Sequence, residues 1–376
     1  MRVTIISFLA FFILSIISCI HDPISPIEQN PEEINLQWNA SYASEKKEDA
    51  LTGLFWCLSH LGAQNTNTTS SRIEVAGTII HLHIGYLGFS HQAKASLTQL
   101  HRSILQSPEY IQNNTVDIGR YITLLIGASA HYYHITGIPE NLTQQLAPYS
   151  FAPETGLVNN SSISDNHRTI QFSTQHGLKQ LFLSTEIDSI TGDTLEFETM
   201  ELMGNGQYKY AIFDANRQRI PSADKGGVNA GKPAKCMWCH ESNINPLFQI
   251  QNDYTGYLTF QQLQDTLVHF RNELGHTQSF LQNGVDFSKN QQHTQMELQY
   301  LMFKQPSSVR LANEWNINVN EVEQLLANQA TFTNPEFAFL PAGYIRNNIE
   351  MYAPFQGLIT SDNVREHSIT EVNYID

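Results

Sequence analysis

Two thiols and an imidazole stand within five residues, Cys236-Met237-Trp238-Cys239-His240, and no other segment of the chain narrows its chemistry so far. Side chains three apart on a helical turn share a face. Cys236 and Cys239 can therefore present two sulfurs to one edge of a flat ligand. His240, one residue on, can bring a neutral ring nitrogen beneath the ligand's centre, where it is able to bind a metal. The spacing asks for a short helix with open space beside it.

This is the CxxCH pattern of covalent haem attachment. With Lys232-Pro233-Ala234-Lys235 before it and residues 241 to 248 after it, the window from 230 to 250 resembles the attachment site of the c-type cytochromes. The resemblance implies one covalently bound haem c, thioether bonds from Cys236 and Cys239, and His240 as the proximal iron ligand. It implies a helical haem domain and single-electron transfer. It further implies a proline carbonyl accepting the imidazole N–H, for which Pro246 is the local candidate, with Leu247 and Phe248 on the ring edge. Two other chemistries use a CxxC: a short-loop disulfide in an oxidising compartment and half of a zinc site. Zinc lacks a partner pair, because Cys57 lies far upstream in an apolar stretch and is expected to be a small buried hydrophobe.

The start of the chain speaks to compartment. Arg2 is followed by an apolar run from Ile5 to Ile17 broken only by serines, which reads as a signal segment over residues 1–18. Ile16-Ile17-Ser18-Cys19 resembles a bacterial lipobox, implying lipidation of Cys19 and a membrane-anchored, extracytoplasmic protein in the periplasm or at the cell surface. An exported CxxCH meets the haem-attachment machinery, so the two readings reinforce each other. Pro23, Pro26 and Pro31 make residues 19–44 read as a tether.

Removing residues 1–18 leaves 376 − 18 = 358 residues, enough for about two domains. The formal charge of −15 argues against a nucleic-acid partner and favours a basic redox partner. No second CxxCH is present, so one haem is expected.

Hydropathy patterning gives an α+β reading. Residues 45–138 form a mostly helical region, with helical spacing over Lys46 to Leu61, Ala93 to Leu105 and Val116 to Ala130, and a β-rich run from Ile79 to Leu87. His81 and His83 share a strand face, and His131 with His134 ends a helix; both pairs read as ordinary polar positions. Pro139 to Asn166 breaks the pattern and reads as a boundary loop. Residues 167–217 alternate as an antiparallel β region, with Asn205-Gly206 predicting a tight type I′ hairpin. Residues 230–376 turn helical over Thr259 to Leu274, Thr294 to Phe303 and Val319 to Ala327, as a cytochrome c-like haem domain. Met296, Met302, His293 and Met351 are the candidates for the sixth iron ligand, which decides between electron transfer and chemistry at an open iron.

The expectation is a monohaem electron carrier rather than a catalyst with its own substrate. The alternatives are a haem peroxidase or ligand sensor, and a lipoprotein binding module whose CxxC is a disulfide staple.

Overall fold

The computed structural model describes residues 30–66, 71–161, 164–174, 176–223, 231–246, 248–281, 285, 287, 292–361 and 371–376. The signal segment, Cys19, the tether up to residue 29, and Leu247 lie outside the described residues. The later part of the expected tether is not a tether. Glu33–Gln37 (β1) is a strand whose Ile34 and Leu36 are buried. It pairs antiparallel with Ile79–His83 (β3), which also pairs with Glu74–Ala76 (β2), and parallel with Val116–Asp117 (β4), giving the order β2-β3-β1-β4.

The periodic runs form Lys47–His60 (α1), His91–Leu105 (α2) and Ile118–Ile126 (α4), with the short Pro108–Asn113 (α3) between the last two. Ser90 caps α2 by accepting from the Ala93 amide, and Asp117 caps α4 through Gly119 and Arg120. The helix expected over Val116 to Ala130 is broken after Ile126. Ser129–Thr136 (α5) follows as a separate helix, and Leu142–Leu146 (α6) leads into the second sheet.

That sheet is an antiparallel meander of Phe151–Val158 (β5), His167–Ser173 (β6), Leu181–Ile187 (β7), Thr194–Leu202 (β8) and Tyr208–Asp214 (β9), in sequence order. β5 occupies the stretch expected to be a boundary loop. Its Pro153 is tolerated because β5 is an edge strand, where a missing amide donor breaks no ladder bond between two neighbours. The β8–β9 hairpin forms where Asn205-Gly206 predicts one, but not as a two-residue turn. Met203 N–H bonds Gln207 O, Gly206 N–H bonds Met203 O, and Gly206 alone takes positive φ, at 82°. This is a three-residue loop. Asn205 instead uses its buried amide to reach the carbonyls of Ser59 and Ala63, fastening the hairpin to the end of α1.

Beyond the sheet come Pro233–His240 (α7), Phe260–Ser279 (α8), Gln292–Lys304 (α9), Ser308–Trp315 (α10), Val319–Leu325 (α11) and Arg346–Ile349 (α12). The protein is thus of mixed α and β structure, with a wholly antiparallel five-stranded sheet and a four-stranded sheet that carries one parallel pair. α9 lies against α1 so closely that a Cβ on Gly53 would come within 2.6 Å of the Gln295 carbonyl oxygen. One buried apolar cluster includes Leu54 of α1, Tyr121 of α4, Tyr208 of β9, Met237 of α7 and Met296 of α9. Residues expected in three successive regions share this core.

Candidate functional site

The motif folds as the spacing asks. α7 starts at Pro233, whose lack of an amide hydrogen costs nothing at a first helical position, and Lys232 before it is buried, with Nζ on the Gly127 carbonyl and on Glu371. At helical spacing Ala234, Met237 and Trp238 make one face and are buried in the core. The opposite face carries Cys236, Cys239 and His240. All three line one cavity of about 430 Å³, within the range of small-molecule and cofactor pockets. Neither Cys236 nor Cys239 forms a disulfide.

The helix stops at once after His240. Glu241 takes φ 50° and ψ −124°, a left-handed backbone that a glutamate adopts only under local constraint. Its carbonyl accepts from the Tyr210 hydroxyl and its carboxylate contacts His293 at 2.7 Å. Tyr210 also stacks on the His240 ring, centroids 6.0 Å apart. His240 is therefore held from two sides. Burial, and secondarily the Arg168 guanidinium, lowers its pKa to about 4, so the ring is neutral near pH 7. Its Nδ1 is buried with no hydrogen-bond partner. The contact expected from the Pro246 carbonyl is thus not made, although Pro246 and Phe248 do line the cavity. The turn after His240 is tied instead by Asn243 N–H and Asn245 Nδ2 on the His240 carbonyl. Cys236 keeps accessible surface because it faces the cavity, yet dense protein around it pushes its thiol pKa well up.

The far wall is the meander. Ladder register places Arg168, Ile170, Phe182, Glu198, Met200 and Ile212 on the face that looks into the cavity. α8 closes the side: Leu267 lines the space, and Phe270 stacks on Phe172 at 5.6 Å. None of the four expected sixth ligands lines it. Met296 and Met302 are buried in α9, His293 is engaged by Glu241, and Met351 is 82% exposed. Met200 on β8 is the thioether that does line it. Sequence reasoning missed Met200, Arg168 and Glu198, although Glu196, Glu198 and Met200 recur every second residue and so share one strand face.

At one end of this wall Arg168 donates from Nη2 to Glu186 Oε2 (2.8 Å) and from Nη1 to Glu198 Oε2 (2.9 Å). Glu196 stands directly across the ladder from Glu186. Burial, then the charges of Glu198 and Glu186, push the Glu196 pKa up to about 9.

The remaining sequence candidates lie elsewhere. His131 is buried, with Nδ1 donating to Leu124 O and Nε2 accepting from the Tyr374 amide; His134 contacts Asp376. His81 bonds Asn35 and His83 contacts Glu33. Cys57 is fully buried in the core. Among the described residues no helix is long and apolar enough to cross a membrane. No protein-family model, curated protein or solved structure matches this chain.

Proposed function

We propose that this protein is a monohaem, c-type cytochrome-like electron carrier, exported and anchored by a lipid on Cys19, that holds one haem c through Cys236, Cys239 and His240. The observation that carries the reading is that both thiols and the imidazole line one mostly apolar cavity of about 430 Å³. Two features of this chain fit the group: the sulfurs lie on one helix face toward the cavity, and the imidazole is neutral near pH 7. The His240 Nδ1, buried without the partner that ligating histidines ordinarily have, is the feature that does not. When bound, the haem supplies a one-electron couple at its iron.

The protein's own part is to position and insulate. Cys236 and Cys239 would hold the haem through their sulfurs and His240 would ligate its iron, with Tyr210 stacked on the imidazole and the chain turned sharply at Glu241. Ile170, Phe182 and Ile212 exclude water, which limits the reorganisation that accompanies a change of charge. Met200, which lines the cavity where Met296, Met302, His293 and Met351 do not, would be the side chain available to the iron as a further ligand. The peroxidase alternative calls for a free arginine or histidine in the cavity. Arg168 is the arginine there, and both its terminal nitrogens are already committed to Glu186 and Glu198. The formal charge of −15 suits a basic redox partner.

Expression of the full chain with a bacterial haem-attachment system tests this. The expected result is a haem-staining band on a denaturing gel, lost in the double variant Cys236→Ser/Cys239→Ser, with wild-type protein in the membrane fraction and Cys19→Ser protein released. A colourless wild-type band would overturn the haem reading.

A further inference from the structure

We propose that Glu186, Glu196 and Glu198 bind one divalent, oxygen-preferring metal ion, calcium being the best match, at the Arg168 end of the cavity. The proposal is independent of the haem reading. Glu186 and Glu196 are directly opposed across the β7–β8 ladder, and Glu198 follows on the same face. One carboxylate oxygen from each lies within 4.8 Å of the others, a spread that an ion with oxygens at about 2.3–2.6 Å can bridge.

Glu196 is the telling side chain. It is 1% exposed, and no donor reaches either of its oxygens; the Glu198 carboxyl beside it can share a proton with it but supplies none of its own. Buried carboxylate oxygens in that condition are costly. Three carboxylates against one guanidinium leave −3 + 1 = −2. A single proton on Glu196 would leave −1 and one oxygen still orphaned, whereas a divalent cation neutralises the cluster and can satisfy both oxygens. Ser164 Oγ and Asn166 Nδ2 both donate to Glu186 Oε1, fixing that carboxylate as supporting groups do around metal ligands. The donors are all oxygen, with no histidine or cysteine among them, which disfavours zinc. Calcium tolerates irregular coordination better than magnesium. Glu198 also lines the cavity, which gives an entry path and room for water ligands.

The test is titration of the chelator-treated full chain with calcium chloride, by calorimetry and by thermal unfolding, against Glu196→Gln. Glutamine keeps the shape and removes the charge, so this variant is expected to fold. Binding of one calcium per chain, a Tm that climbs with calcium concentration, and at least about a tenfold weaker response in Glu196→Gln are expected. Absence of any calcium-dependent heat or Tm shift in the wild-type chain would overturn the proposal. So would an undiminished response in Glu196→Gln, which would place the ion elsewhere.

Discussion

Arg310 and Arg168 both hold carboxylates inside this protein, but the clusters around them are built on different charge arithmetic. Arg310, Arg120 and Arg346, all nearly fully buried, face the equally buried Asp117, Glu109 and Glu314. Arg310 Nη2 bonds both Asp117 oxygens at 2.6 and 2.8 Å, and Arg346 bonds both Glu314 oxygens at 2.6 and 2.7 Å. Glu350, 28% exposed, joins from the solvent edge. This network ties β4 and α4 to α10 and α12, and its three buried carboxylates are matched by three buried guanidiniums, the fourth carboxylate, Glu350, lying at the solvent edge. Around Arg168, three glutamates share one guanidinium. A matched buried network does structural work by itself, whereas an unmatched one beside a cavity invites a further charge from outside.

The strongest way to break this comparison is one substitution made in both places. Glu314→Gln leaves the Arg346 guanidinium buried against a neutral amide, and Arg310→Met strands the Asp117 carboxylate. Each is expected to cost about 3–5 kcal/mol in urea unfolding. A loss under about 1 kcal/mol would mean that the network is not structural.

Acid gives the next effect in size. His60 and His101 are fully buried, and burial lowers both to a pKa of about 4. His60 donates to the Tyr208 carbonyl; His101 lies between the Pro31 carbonyl and the Tyr121 hydroxyl. The unfolded chain takes up protons on these rings below about pH 6.5 while the folded chain does not. Stability therefore falls as pH drops from about 6.5 to 4, on the order of 2–3 kcal/mol for each ring. Within the matched network the signs oppose. Glu314, held below its ordinary range by Arg346, adds to the loss only below about pH 4.5, whereas Glu109, pushed up to about 7 by burial, offsets part of the histidine loss above it. Urea midpoints at about pH 7, 5.5 and 4 measure the fall, and a flat profile would contradict it.

Smallest, and opposite in sign, is Glu196→Gln in calcium-free buffer. Removing one of three crowded carboxylates is expected to raise stability by up to about 1 kcal/mol. Destabilisation comparable to that of Glu314→Gln would erase the distinction between the two clusters.

Much of this was legible locally. The CxxCH helix, the periodic stretches of α1, α2 and α9, and the alternation in β6 to β9 are all short-range patterns. What sequence reading missed depends on partners far away in the chain. β1 is five residues in a proline-bearing lead, a strand only because β3 and β4 flank it. β5 tolerates Pro153 only as an edge. α9 carries two methionines beyond the motif, but Gly53 lets it pack on α1, and both Met296 and Met302 are buried away from the cavity lining. On β8 polarity and burial run opposite ways. Leu195 and Phe197 look like the buried face and Glu196 and Glu198 like the wet one, yet Glu196 is buried while Leu195 and Phe197 are partly exposed. Polarity read along one strand could not show that its charged face closes a cavity.

The central claim is that one turn of helix carries a haem on two sulfurs. Peptide mass mapping of the denatured protein, made in cells with a haem-attachment system, reads this directly. The account predicts a single haem retained on the peptide spanning Cys236 to His240, linked through both cysteines. Recovery of that peptide with two unmodified thiols, or two hydrogens lighter as a disulfide, would contradict it.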